Sequence, residues 1–338
     1  MTGIHPKERK RRSLRCVIVR VFLLTVIFLI VYDCGLITVT ITFLHDNLAA
    51  ILPMYGTRQR FLCVTFQGGL GNLLFQYAFA YATSKSNNMT MFCTRNDVKQ
   101  LQEIFYVPDC TRYYNAEKVC KKAPSRNSRY DCGFDESIVT LNKTDLKMDG
   151  YFQSWVYWKN EEFVLREYFK IKQHVLNASE TLMASALNNL GYSRSNATLV
   201  GIHIRRGDII TKDYLIKYGY DAPGQDYLKR AMEYIRSKVK GDIVYVVCSN
   251  DMTWTRRVIQ DPNVAFMEGG SREIDFALLA SCDHLIMTVG TFGWWVGWMV
   301  KGIVVYYDKP FKNGTQLEKR FTKDYRTTLY YPHWVGFS

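Results

Sequence analysis

From residue 61 onward, short runs of continuous apolar residues alternate with longer segments of helical spacing. Runs of the first kind read as strands buried on both faces. Residues 61–66 form the first strand, and Gln67-Gly68-Gly69-Leu70-Gly71-Asn72 forms a turn. Residues 73–84 are apolar or small on nearly every side, which predicts a helix packed against a sheet. Residues 107–135 carry Cys, Pro and Arg and read as loop, 161–170 and 178–190 read as helices, and 191–196 as a linker. The pattern then restarts. Strands are expected at 198–205, 242–248, 264–266, 284–288 and 303–307, with helices at 225–238, 253–260, 272–281 and 292–300 between them. Such alternation predicts a doubly wound parallel α/β sheet. Two α/β halves are therefore expected, 61–195 and 196–338.

The start of the chain follows another pattern. Residues 14–32 are apolar apart from Arg15, Arg20 and Thr25, close to the roughly 20 residues that span a bilayer. The alternative span, 21–41, would bury Asp33 at mid-depth, at a cost of about 2.5–3.5 kcal/mol. A cleaved signal peptide would have a shorter apolar region and a small-residue cleavage site. A signal-anchor helix at 14–32 is expected instead, with a basic cytoplasmic tail at 1–13 and a stem at 33–60. The basic cluster precedes the span, so the bulk of the chain should lie outside or in a lumen.

Composition adds modest limits. Hydrophobic residues make up 48% of the 338 and charged residues 22%, as in ordinary globular chains. Of the net charge of +13, the basic N-terminal cluster through Arg20 supplies +6. The mild remainder suits an anionic small ligand and no nucleic acid. Sequons at Asn88, Asn142, Asn177, Asn196 and Asn313 fit a lumenal chain. Among nine cysteines, Cys16 and Cys34 fall in the anchor region, and Cys63, Cys248 and Cys282 in apolar runs that read as core. Cys93, Cys110, Cys120 and Cys132 remain, an even set expected to form two disulfides among themselves.

Three segments can carry chemistry. Gly68-Gly69-Leu70-Gly71 invites a dinucleotide reading, but that fingerprint needs glycine where Leu74 stands. A helix N-terminus open to an anion or a sugar survives, beside the plain alternative of a tight turn. His203-Ile-Arg205-Arg206-Gly207-Asp208 is sharper. Two arginines closing an apolar strand need anionic partners, and guanidinium forks fit phosphate oxygens. A salt-bridged strand end, with Asp208 as the partner, is the structural alternative. In the third segment, Asp275 opens an apolar helix, where capping would account for it. Gly290-Thr291-Phe292-Gly293 leads into the next helix, a second anion-ready N-terminus. The chain has no Asp-x-Asp diphosphate–metal clamp; Glu273-Ile-Asp275 comes nearest. Tyr151, Phe152, Trp155, Tyr157 and Trp158 form an aromatic cluster suited to stacking on sugars or to a core.

These runs, with Gly150-Tyr-Phe-Gln-Ser154, Cys248-Ser-Asn-Asp-Met-Thr-Trp254 and the closing Tyr331-Pro-His-Trp-Val-Gly336, resemble the galactoside 2-α-L-fucosyltransferase family over most of residues 61–338. The Arg-Arg motif is similar to that of the wider α1,6- and O-fucosyltransferases. The resemblance implies a GT-B fold, two Rossmann-like domains facing a cleft, in a type II Golgi membrane protein. It also implies inverting, metal-independent transfer from GDP-fucose to a galactose-terminated glycan, with no cofactor. By the same resemblance Arg206 and Arg205 would hold the GDP phosphates, and His203 and Asp275 would read the guanosine. Thr291 would bind phosphate, and Gly69 and Gly71 would let their loop close on the nucleotide. Asp208 and Asp213, beyond the strand end, are the local candidates for the acceptor base, with bracing of the arginines as the alternative role of Asp208. A fucosyltransferase of another linkage, or an anchored lectin-like protein without turnover, are the competing readings.

Overall fold

In the computed structural model, residues 60–111, 116–141 and 144–338 are described. The expected tail, anchor and stem through residue 59, with Cys16 and Cys34, lie outside the described residues, as does the Asn142 sequon. Among the described residues no helix is long and apolar enough to cross a membrane.

β1 (Phe61–Val64) is buried along its length and leads through the glycine turn into α1 (Leu70–Ser86). That helix buries 13 of its 17 residues, as its apolar circumference predicts. β2 (Thr90–Phe92), α2 (Arg95–Ile104), α3 (Ala116–Lys122), β3 (Ser125–Asn127) and β4 (Leu146–Asp149) complete the first region. Its four strands form a parallel sheet in the order β2-β1-β4-β3. α4 (Glu162–Tyr168) and α5 (Gln173–Asn189) lead to the second sheet.

The second region runs β5 (Thr198–Ile204), α6 (Gly207–Thr211), α7 (Asp213–Tyr218), α8 (Gln225–Lys238), β6 (Ile243–Ser249) and α9 (Met252–Val258). It continues with β7 (Val264–Met267), α10 (Arg272–Ala280), β8 (His284–Met287), α11 (Thr291–Met299), β9 (Val304–Tyr307), α12 (Tyr325–Thr328) and β10 (Val335–Phe337). The strands are parallel in the order β10-β9-β8-β5-β6-β7. This is the strand order of the doubly wound Rossmann sheet.

An aromatic core joins the two regions. Phe75 of α1 lies 4.6 Å from Trp294 and 5.1 Å from Trp295 of α11, and Trp158 stacks on Trp295 at 5.5 Å. α5, on the N-terminal side of the expected boundary, packs Met183 and Leu187 against Leu199, Val244 and Leu278 of the second region. From residue 60 onward the described residues belong to one compact unit.

Two expectations are corrected, and the core reading of part of the aromatic cluster is met. Residues 107–135 are not all loop, since α3 and β3 fall within them. The cysteines pair as Cys63–Cys120 and Cys93–Cys110, with Cα atoms 5.8 and 5.5 Å apart, leaving Cys132 free and buried. The reason is the missed helix: α3 covers the face of β1 that carries Cys63, so Cys120 meets it there. Cys132 Sγ instead donates to Gln153 Oε1 at 3.1 Å. In the aromatic cluster, Phe152 and Trp158 are fully buried and belong to the core.

Candidate active site

In an open parallel α/β sheet, ligands sit beyond the carboxyl ends of the strands where the strand order reverses. That point lies between β5 and β8 in the second sheet and between β1 and β4 in the first. The segments leaving those strands carry the motifs singled out in the sequence: residues 205–208, 288–291, 67–72 and 150–154.

The charge is concentrated after β5. The Arg205 amide donates to Thr288 Oγ1 at 2.9 Å, fastening the end of β5 to that of β8. Its guanidinium grips both oxygens of Asp208, Nε at 3.2 and 3.1 Å and Nη2 at 2.8 Å, and lies over the Tyr220 ring at 5.1 Å. Nη1 lies beside Gly290, where a Cβ would come within 3.2 Å of it. At φ +104°, Gly290 occupies backbone space that other residues rarely adopt. Arg206 turns toward a different carboxylate. Its Nη1 donates to Asp251 Oδ2 at 3.0 Å, and the guanidinium lies over the Trp254 indole at 4.4 Å. The two arginine side chains are 29% and 23% exposed, so both are partly desolvated and reachable from solvent.

Burial pushes the Asp208 carboxyl up, but the hydrogen bonds and charge of Arg205, with the Asn250 amide, outweigh it and hold the group below the usual carboxylate range. A carboxylate held this way braces Arg205 and accepts protons poorly. Asp213, exposed at the start of α7, makes no side-chain hydrogen bond or ion pair among the described residues. The two carboxylates adjoining the strand end are thus placed very differently.

His203 stacks on Phe292 with ring centroids 5.0 Å apart. Burial, reinforced by Arg205, lowers its pKa to about 4, so the imidazole is neutral at pH 7. Its Nδ1 is buried without a hydrogen-bond partner, and so is Oδ1 of Asp275. Buried orphan polar atoms are rare in folded proteins and call for an explanation such as a missing ligand. Asp275 stands in the first turn of α10, but the cap is Ser271, whose Oγ accepts from the Ile274 amide at 3.4 Å. Capping therefore does not account for Asp275. Burial raises its carboxyl, opposed by a hydrogen bond from Cys248. Phe276, next in the chain, meets Phe292 edge-on at 5.4 Å.

The first region meets this cluster through two helix N-termini. A Cβ on Gly71 would fall 2.4 Å from the Thr291 carbonyl carbon, so α1 and α11 touch through a position that only glycine fits. Asn72 Oδ1 accepts from Thr291 Oγ1 at 2.9 Å and from Gln153 Nε2 at 3.2 Å. Buried Gln76 ties the same two turns together, accepting from the Gln67 amide and donating to the Gly150 carbonyl. Gly69 faces open space. Two positive dipole ends converge here, with Arg205 beside the Gly290 cap of α11, an arrangement that favours an anion.

The structure thus gathers His203, Arg205, Arg206 and Asp208 at one strand end and brings Thr291 and Gly71 into contact. Asn250, Asp251, Trp254, Tyr220 and Asn72 belong to the same constellation. Asn72, Asn250, Asp251 and Trp254 lie in runs that carry the family resemblance but take no role there, and Tyr220 lies outside those runs; Asn250 and Asp251 follow the strand run at 242–248, on the ligand side of the sheet. Tyr151 remains partly exposed, and Trp155 stacks on Tyr331 at 4.9 Å. Asn88, Asn177, Asn196 and Asn313 are all exposed. Among the described residues no group of three His, Cys, Asp or Glu could hold a metal ion.

Comparison with known proteins agrees with the motifs. Galactoside α-(1,2)-fucosyltransferase 1 of Saimiri sciureus is 30% identical over 280 residues, covering 80% of this chain and 73% of that protein. Galactoside 2-α-L-fucosyltransferase SEC1 of Bos taurus is 26% identical over 293 residues, covering 85% and 77%. Among solved structures, the fucosyltransferase NodZ from Bradyrhizobium superposes with a TM-score of 0.51 at 14% identity, covering 75% of this chain and 96% of that one. That likeness concerns the fold, an α/β architecture with parallel sheets. The profile of glycosyl transferase family 11 matches residues 64–338, and the chain belongs to that family.

Proposed function

We propose that the chain transfers L-fucose from GDP-fucose to the 2-hydroxyl of a galactose-terminated glycan, by an inverting displacement that needs no metal. The observation that carries this reading is the pair of braced, partly exposed arginines at the switch point of a Rossmann sheet, Arg205 lying beside the N-terminus of α11, which α1 touches in turn. The relatives' names support the sugar and the linkage.

In this reading the acceptor oxygen attacks the anomeric carbon as the bond to the diphosphate breaks, and GDP leaves with the electron pair. Charge develops on the leaving oxygens. Arg205 and Arg206 stabilise it in a partly desolvated site, where fixed donors act more strongly than in water. Thr291 and the amides of its helix end assist. The orphan atoms of His203 and Asp275 are suited to the guanosine. Gly69, with open space before it, lets the first-region loop approach the nucleotide. Asp208 serves as the brace of Arg205 rather than as the base; Asp213, with its free carboxylate, is the remaining sequence candidate for that role. The two sheets would act as the two GT-B domains, meeting near residue 195, with the cleft between them. We further propose a type II Golgi protein anchored by residues 14–32, glycosylated at its lumenal sequons.

Incubating the full chain with GDP-fucose and a panel of galactose-terminated glycans, then assigning the product linkage by NMR, tests the reading. An α1,2-fucoside formed equally well in excess EDTA is expected. Another linkage, or complete loss restored by Mn²⁺ or Mg²⁺, would contradict it.

A further inference from the structure

The two arginines could not hold this geometry alone, because the turn that carries them has few backbone bonds of its own. Asn250, in the segment that leaves the neighbouring strand β6, supplies the missing ones. Its Oδ1 accepts from the amides of both Arg206 and Gly207, at 2.8 and 3.0 Å. Its Nδ2 donates to Asp208 Oδ1 at 2.8 Å, and Asp208 in turn grips Arg205. Its own amide donates to the Ile204 carbonyl at 3.3 Å. The contact is close on the backbone side as well, since a Cβ on Gly207 would lie 2.5 Å from the Asn250 carbonyl oxygen. The next residue, Asp251, pairs with Arg206 and caps α9 by accepting from the Trp254 amide at 3.2 Å.

We propose that Asn250 is a positioning residue for the transfer, a single amide side chain that sets both guanidiniums by holding the backbone of one and the carboxylate brace of the other. This rests on the fucosyl-transfer reading above. An amide is the side chain that can do it, because the site needs one oxygen accepting two N–H groups and one N–H donor aimed at a carboxylate. Aspartate has the shape and the acceptor but no donor. It would also set a second negative charge against Asp208, within reach of Arg205, Arg206 and Asp251.

The test compares wild type, Asn250→Ala and Asn250→Asp as full chains. GDP affinity is measured by calorimetry, alongside kcat, KM for each substrate and the melting temperature. Displacing groups that position a reacting centre by about 1 Å costs on the order of a hundredfold. Asn250→Ala should therefore lose about tenfold to a hundredfold in kcat/KM for GDP-fucose, with weakened GDP binding and an unchanged KM for the glycan. Asn250→Asp keeps both acceptor contacts and should fold like wild type even where Asn250→Ala does not. Its deficit should appear at pH 7 and shrink at lower pH, as a proton shared with Asp208 restores the donor. A structural role alone would lower the melting temperature and leave turnover per folded molecule intact at every pH. Wild-type GDP affinity and kcat in folded Asn250→Asp at pH 7 would overturn the inference. A wild-type chain that does not bind GDP would overturn the function on which it rests.

Discussion

The two sheets solve the same topological problem with different materials. In the second region β5 and β6 are seven residues long and pair over their whole length, buried in the middle of the sheet. In the first region every strand has three or four residues, and β3 is exposed at both ends. Short strands bury little apolar area, and both disulfides fall in that first region, one joining β1 to α3. The switch points differ in the same way. The second presents two arginines and their carboxylates, whereas the first presents glycines and the amides of Asn72, Gln76 and Gln153. The comparison separates two materials: the second region carries the charge of the candidate site, and the first supplies a closely fitted wall.

If that division holds, substitutions in the two regions should fail differently. The largest effect on folding is expected from the first region's cross-links. Cys63→Ser or Cys93→Ser should cost about 2–5 kcal/mol of stability, read from melting curves, while the folded fraction keeps its turnover. Loss of GDP binding in folded protein would blur the division.

Next comes a matched glycine pair. Gly71→Ala places a methyl against the backbone of Thr291 and should cost about 1–3 kcal/mol by overpacking, with slower transfer because α1 and α11 are pushed apart. Gly69→Ala meets nothing within 4 Å and should stay within about 0.5 kcal/mol of wild type. Equal stability losses in denaturant titrations would contradict the close approach.

The smallest effect is on pH dependence. His203 is held neutral with its pKa lowered to about 4 by burial and then Arg205. Its contribution is fully present above its unfolded pKa of about 6.5 and is lost as pH falls from there toward about 4. Asp208, also held low, loses its contribution only at more acid pH, as the carboxylate protonates. His203→Asn should therefore flatten the decline in melting temperature between about pH 6.5 and 4. An unchanged slope would show that His203 titrates freely.

Legibility followed the same division. The five expected strands of the second region appear within a residue or two, because buried parallel strands leave continuous apolar runs in the sequence. The helix at 225–238 has the expected bounds, and Arg205, Arg206 and Thr291 lie at the expected carboxyl ends. In the first region β2, β3 and β4 passed unseen. Runs such as Ser125-Arg126-Asn127 have neither the length nor the hydrophobicity to stand out, and their partners set their structure. Cys93 and Cys110 pair within the expected set, but Cys120 pairs outside it for a related reason: without α3 nothing placed it over β1. At the site, the charged residues were visible because buried charge is costly and therefore conspicuous. Asn250 and Asn72 act through amides, ordinary in any turn, and only the crossing of distant segments reveals them.

The account depends most on Arg206 acting as a planar donor to the diphosphate, and one substitution isolates that. Lysine keeps the charge but offers neither the fork nor the flat surface that lies over Trp254. In Arg206→Lys, GDP affinity, initial rate and melting temperature should be measured on one preparation. Losing a donor aimed at developing charge costs about 2.7–4 kcal/mol, roughly a hundredfold to a thousandfold in turnover. The account predicts that loss, with weaker GDP binding, in a protein that melts near the wild-type temperature. A lower melting temperature with wild-type turnover per folded molecule would contradict it, and would make Arg206 a salt-bridged end to the strand.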